Sequence, residues 1–181
     1  DAVCRQIGLI RADGIAEFYD FAKVLGMLQR PSGNRLMVVT SSGGSGILAA
    51  DTADDLSIRI EKPGAELIER LRAVLPNQCV LSNPLDLTGD ATAQRYQDAL
   101  ESIVSTDQAD AILVIFGDPI EGAAEMMKQI LSKTQKPILA AFLGGGDVQK
   151  REVPLLHAAG IPVFPTPERA VRAFGALLKR R

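Results

Sequence analysis

The sequence predicts an α/β fold built on a doubly wound, mainly parallel five-stranded sheet. Three observations lead there. First, the runs 36–39, Ala111–Phe116 and Ile138–Phe142 are continuously apolar, as strands are when helices cover both faces of a sheet. Second, the stretches between them repeat apolar residues every three or four positions, the period of a helix with one buried side. Third, strands and helices alternate, which selects right-handed crossovers and three layers, α/β/α. Five strands fit the flavodoxin-like order 2-1-3-4-5 better than a six-stranded dinucleotide-binding order.

Residues 1–30 form a helical lead-in, with Phe18, Phe21, Ala22, Leu25 and Leu28 on one face. Pro31-Ser32-Gly33-Asn34 breaks the chain, and residues 31–181 form the main domain. Weaker strands are expected at 57–60 and 161–164, where a sheet edge tolerates Pro162. Helical stripes follow at Leu67, Ile68, Leu71, Val74 and Leu75, then at Tyr96, Ala99, Leu100, Ile103 and Val104. Met127, Ile130 and Leu131 make a third stripe, and Ala170, Val171, Phe174, Leu177 and Leu178 make the last. The helix after Gly146 is expected to kink or restart at Pro154, because an interior proline costs ~3 kcal/mol. Residues 79–92 read as a long insertion of turn-forming residues, and long ordered loops in compact domains are often functional.

A chain of 181 residues with 46% apolar and 23% charged residues has the balance of one globular domain. A net charge of −2 leaves no electrostatic footprint for nucleic acid, and Lys179-Arg180-Arg181 reads as a basic helix end. No apolar run approaches the ~18 residues of a membrane span, and no signal-peptide pattern is present, so a cytoplasmic location is expected. Cys4 and Cys79 lack metal-type spacing and read as buried thiols.

The sharpest motif is Thr40-Ser41-Ser42-Gly43-Gly44-Ser45-Gly46, between the first strong strand and a helix. Unpaired N–H groups at a helix N-terminus carry partial positive charge, and glycines let a phosphate approach them. In an open α/β sheet, ligands bind at this end of the strands. The alternative is a tight turn capped by Ser42 or Ser45. The loop is neither a Walker loop nor a dinucleotide fingerprint, since no Gly-Lys-Ser/Thr follows and the glycine spacing differs.

Gly144-Gly145-Gly146-Asp147 follows another strand, with Asp147 as a possible helix cap and Gly144 and Gly145 as a possible second site. The turn-rich insertion adds Asn83, Asp86, Thr88 and Gly89 to that second-site set. The single histidine, His157, has no partner at catalytic spacing and reads as structural. Neither a zinc site nor a Ser-His-Asp triad is expected. Asp86, Asp118 and Glu121 show no persuasive pairing, and Glu121 marks a first helical turn.

Five segments together resemble the nucleoside-diphosphate-forming acyl-CoA synthetases, including ADP-forming acetyl-CoA synthetase, succinyl-CoA synthetase and the related region of bacterial protein acetyltransferases. They are Arg5-Gln6-Ile7-Gly8-Leu9-Ile10-Arg11, residues 39–51, Asn83-Pro84-Leu85-Asp86-Leu87-Thr88-Gly89-Asp90-Ala91, Lys136-Pro137-Ile138-Leu139-Ala140 and Gly160-Ile161-Pro162-Val163-Phe164. They span nearly the whole chain in the family's order. The resemblance implies an acid–CoA ligase reaction through an acyl phosphate and a phosphohistidine, with the phosphoryl group passing to a nucleoside diphosphate. The family's histidine lies in a Ser-His-Thr-Gly-like segment, which His157 does not match. The resemblance also implies partner domains that bind CoA, carry the histidine and form an ATP-grasp, with CoA, ADP or ATP and Mg handled there. It makes residues 1–30 the tail of the preceding domain, and points the helix N-terminus at Ser41 to Gly46 toward the phosphohistidine. Alone, the domain binds no cofactor, holds phosphate or sulfate at that helix end, has no nucleophile and is expected to be inactive.

Two other readings compete: a non-catalytic mononucleotide-binding or receiver-type module, and a structural module of a protein acetyltransferase. Flavin is disfavoured because the chain has no Trp and only 2 Tyr. A phospho-receiver is disfavoured because no acids follow the first strand.

Overall fold

A computed structural model describes residues 6–180. Its five strands are β1 (Leu36–Thr40), β2 (Leu85–Asp86), β3 (Ala111–Phe116), β4 (Ile138–Phe142) and β5 (Val163–Phe164). All neighbours are parallel and the order is β2-β1-β3-β4-β5, the flavodoxin-like arrangement the sequence predicts. Both β1 and β3 sit inside the sheet, β3 at the centre and β1 beside it.

The helices are α1 (Ile15–Met27), α2 (Gly43–Asp55), α3 (Ala65–Val74), α4 (Ala93–Val104), α5 (Ala123–Leu131), α6 (Gly146–Ala158) and α7 (Pro167–Leu178). Successive strand residues point to opposite faces, so each strand feeds two cores. Met37, Val39, Ile112 and Val114 face α3, α4, α5 and α6, where Leu67, Leu71, Tyr96, Leu100, Met127 and Leu156 meet them. Leu36, Val38, Leu113 and Ile115 face α1, α2 and α7 through Val24, Ala49, Ala53, Val171 and Phe174. The lead-in helix α1 is tied to α7 by a bidentate pair, Arg169 Nε and Nη2 donating to Asp20 at 2.6 and 2.9 Å. Its Phe18 and Tyr19 are exposed while Val24 is buried. Cys79 is buried and burial raises its thiol pKa, whereas Cys4 lies outside the described residues.

Three expectations need correction. The segment 57–60 is not one of the five strands. It forms a single bridge, Arg59 to Arg35, just before β1, and Ser57 turns the chain with φ +56. The missing strand lies inside the turn-rich insertion, as Leu85–Asp86 paired with Val39 and Thr40. Finally, α6 runs through Pro154 as one helix, so of the expected kink or restart it is the restart that does not occur. Pro154 is exposed, so the carbonyl its ring leaves unbonded can turn to water.

Candidate functional site

Five helices begin at the carboxyl edge of the sheet, and their first turns are treated differently. Thr92 caps α4, accepting from Arg95 N–H, and Thr166 caps α7, accepting from Arg169 N–H. Glu152, buried on α6, reaches the start of α5 and accepts the Gly122 and Ala124 N–H groups at 3.0 and 2.9 Å. The starts of α2 and α6 receive no side-chain cap. These are the two glycine-rich loops singled out in the sequence.

At α2 the N-cap is Ser42, as one reading of the sequence allowed, but its hydroxyl is engaged by Ser45 Oγ at 2.9 Å and caps no backbone group. Thr40 Oγ1 accepts from Ser42 N–H at 2.9 Å, which folds the turn tightly against the end of β1. The first helical bond is Gly46 N–H to the Ser42 carbonyl, 3.0 Å. The N–H groups of Gly43, Gly44 and Ser45 therefore have no partner among the described residues. Gly43 and Gly44 are exposed. This is an open donor set at the positive end of a helix dipole.

The other predicted site residues divide into two groups. Ser41 is buried and faces inward, its Oγ accepting Gly117 N–H at 3.1 Å and lying 3.4 Å from Asp118 Oδ2. Gly46 is buried, and a Cβ there would lie 2.9 Å from Pro84 Cβ and 3.2 Å from Thr40 Cγ2, so this glycine serves packing. Asn83 is held by backbone: its amide accepts Val38 N–H at 3.0 Å and donates to the Leu36 and Glu61 carbonyls at 2.9 and 3.0 Å. In contrast, Asp86 does reach the serine–glycine loop, while Thr88 is held by Arg95 and Asp90, and Gly89 stands beside Asp118. A Cβ on Gly43 would lie 2.7 Å from Asp86 Oδ2. Asp86 Oδ1 accepts Thr88 N–H at 2.9 Å.

Gly144 packs so closely on Asp118 and Pro119 that any Cβ would overlap their backbone, while Gly145 is the exposed N-cap of α6. Asp147 does not cap that helix. It sits within the first turn and pairs with Lys150 at 3.3 Å. Glu121 precedes α5, whose N-cap is Gly122, and pairs with Arg151 at 3.1 Å. His157 accepts Val163 N–H through Nε2 at 3.1 Å, and burial with the nearby Lys23 lowers its pKa, as suits a neutral structural imidazole.

Sequence reasoning missed Arg95, Glu152 and the placement of Asp118. The signal for Asp118 was present, since it follows β3 at the same sheet end as the serine–glycine loop. The site thus combines three free amide donors with two nearby carboxylates, Asp86 and Asp118. It can orient an anion. Among the described residues no group of three or more His, Cys, Asp or Glu could hold a metal ion.

Residues 36–180 match the model of the Ligase-CoA domain, and the chain belongs to that family. It is similar to acetate–CoA ligase (ADP-forming) I of Archaeoglobus fulgidus, 35% identical over 97% of this chain and 25% of that protein. It is similar also to the alpha subunit of acetate–CoA ligase (ADP-forming) I of Pyrococcus furiosus, 31% identical over 98% of this chain and 39% of the subunit. Among solved structures, the dinucleotide-forming acetyl-coenzyme A synthetase 1 of Ca. Korarchaeum cryptofilum, in complex with phosphate and ADP, superposes with a TM-score of 0.89 at 30% identity. That match covers 98% of this chain and 39% of the solved one. The chain therefore spans about a quarter to two fifths of the length of these relatives. Among the described residues no helix is long and apolar enough to cross a membrane.

Proposed function

We propose that this chain is the domain of an ADP-forming acid–CoA ligase that cradles the phosphoryl group of a phosphohistidine. The histidine belongs to a neighbouring domain, and the cradle is the open first turn of α2. The observation that carries this reading is the trio of unpartnered N–H groups at Gly43, Gly44 and Ser45, on a sheet edge where three other helix starts are capped by side chains. CoA, the nucleotide and Mg are handled by partner domains, a CoA-binding domain and an ATP-grasp. Residues 1–30 are the tail of the preceding domain, and the exposed Ile15, Phe18 and Tyr19 suit a helix apolar on its outer side as well.

The chemistry is electrostatic. An exposed anion gains about 0.3–1 kcal/mol from a helix N-terminus, rising to ~2 kcal/mol when partly buried. Asp86 and Asp118 oppose a free dianion, so the isolated chain holds phosphate or sulfate weakly. With water excluded by the neighbouring domain, the same fixed donors stabilise a phosphoryl group without reorganising.

Gly44 is the position at which to test this. Apart from its chain neighbours and the backbone of its own helix, no atom lies within 4 Å of a Cβ built there, so a larger side chain fits the fold but occupies the anion's approach. Gly44→Val in the full-length enzyme is expected to lower phosphohistidine formation about 100-fold while leaving the melting temperature unchanged. Undiminished phosphorylation in a folded variant would contradict the assignment. Gly46 is unsuitable for this test, because its Cβ would strike Pro84.

A further inference from the structure

We propose that Arg95 is a positioning residue that holds the 88–90 loop as the second wall of the phosphoryl site, facing the open turn of α2. The inference rests on the reading of that site given above.

The loop leaves β2 with Leu87 N–H donating to the Thr40 carbonyl at 2.7 Å, which fastens it to the last residue of β1. Thr88 then adopts φ +68. A β-branched residue avoids this left-handed region, and such a conformation persists only where the surroundings over-determine it. Arg95 supplies that determination. Its Nη1 donates to the Leu87 carbonyl at 2.9 Å, to Thr88 Oγ1 at 3.0 Å and to Asp90 Oδ1 at 2.6 Å. Its Nη2 donates to Asp90 Oδ2 at 3.1 Å. These bonds hold the Asp90 carboxyl well below the usual carboxylate range.

The guanidinium is itself well placed for this. Its side chain is only 15% exposed. The next residue, Tyr96, is fully buried, donates its hydroxyl proton to the Ile115 carbonyl at 2.6 Å, and packs its ring 5.0 Å from that of Phe116. The start of α4 is thus anchored in the core, and Arg95 transmits that anchorage to the loop. A lysine could not replace the planar fork that serves four acceptors.

The held loop closes the site. Gly89 stands exposed at its crest, and its N–H has no partner among the described residues. A Cβ on Gly89 would lie 4.0 Å from Asp118 Oδ2, and one on Gly43 would lie 2.7 Å from Asp86 Oδ2. The loops after β1, β2 and β3 therefore converge on one space, and Arg95 fixes the middle one.

The test uses the full-length enzyme. Arg95→Met is expected to raise the KM for inorganic phosphate about tenfold, while the KM for acyl-CoA and the melting temperature stay near their original values. A purely structural arginine would move the melting temperature and leave the phosphate KM alone. Adding Thr88→Gly to Arg95→Met supplies the rescue, because glycine takes φ +68 without strain and frees the loop from its clamp. The double variant should recover most of the phosphate affinity. If Arg95→Met does not fold, Arg95→Lys, which keeps the charge and the stem, replaces it with the same expectation. An unchanged phosphate KM in a folded variant, or no recovery in the double variant, would overturn the proposal. If Gly44→Val lowers phosphorylation while Arg95→Met leaves the phosphate KM unchanged, the positioning role falls and the site stands. If Gly44→Val has no effect, the site reading falls, and the phosphate KM still decides what Arg95 does to the loop.

Discussion

The two ends of the sheet use the same materials to opposite effect. At the amino edge, Arg35 and Asp110 form a bidentate pair at 3.0 and 2.8 Å, and Asp110 also accepts the Arg35 N–H at 2.9 Å and the Ser32 hydroxyl at 3.2 Å. Gly33 is required there, since any Cβ would overlap the Asp110 carboxylate. At the carboxyl edge, the amides of Gly43, Gly44 and Ser45 stand open, and Gly44 has no neighbour that would exclude a side chain. A glycine enforced by packing explains itself within the domain. A glycine beside open space, next to unpaired donors, finds its reason in something that approaches from outside. The lesson is that charge and glycine content alone do not mark a site. What marks it is the contrast between satisfied and unsatisfied groups within one fold.

The strongest way to break this comparison is to ask the isolated chain for the whole reaction. Supplied with acyl-CoA, ADP and phosphate, the purified 181-residue chain should give no detectable ATP, because the proposed cradle would stabilise a phosphoryl group without accepting it covalently. Turnover in a coupled ATP assay would mean that the carboxyl edge contains chemistry beyond an anion cradle.

A smaller effect is expected at the amino edge, on stability alone. The hydrogen bonds and charge of Arg35 bring Asp110 down from 3.8 to about 2. A depressed carboxylate contributes stability above its unfolded pKa and loses it as pH falls through the folded one. The window here runs from about pH 4 down to about pH 2, and the contribution is about 2 kcal/mol. Asp110→Asn should lower unfolding free energy at pH 7 by roughly that amount. The gap between variant and parent should narrow as denaturation is measured at progressively lower pH below 4. Phosphohistidine formation in the folded full-length variant should not change. A gap that stays constant down to pH 2 would remove Asp110 from the account of the amino edge.

The sequence showed the long strands, the helical stripes and the serine–glycine loop because each is a local pattern. The edge of β1 was not legible, and the reason is physical. Three separate segments share it: Leu36 N–H bonds the Arg59 carbonyl, the Asn83 side chain bonds Leu36 and Val38, and Leu85–Asp86 pairs with Val39 and Thr40. The alternation at 57–60 looked like a strand, yet Asn83 occupies the positions it would have bonded. A two-residue strand inside a turn-rich stretch leaves almost no periodic signal. Within the site, Gly44 and Gly46 look equivalent in sequence and differ only in what surrounds them, Pro84 and Thr40 around one and open space around the other. Arg95 carried no motif at all, because its role depends on four acceptors gathered by the loop's fold.

The central claim is that the open amides of α2 face the phosphoryl group. It is tested most directly by amide resonances of Gly43, Gly44 and Ser45 in segmentally labelled full-length enzyme, recorded before and after phosphorylation. New hydrogen bonds to a phosphoryl oxygen should shift these amide protons downfield, with Gly89 responding next and the amides around Gly33 unmoved. Unchanged resonances at Gly43, Gly44 and Ser45, in an enzyme shown to carry phosphohistidine, would contradict the account.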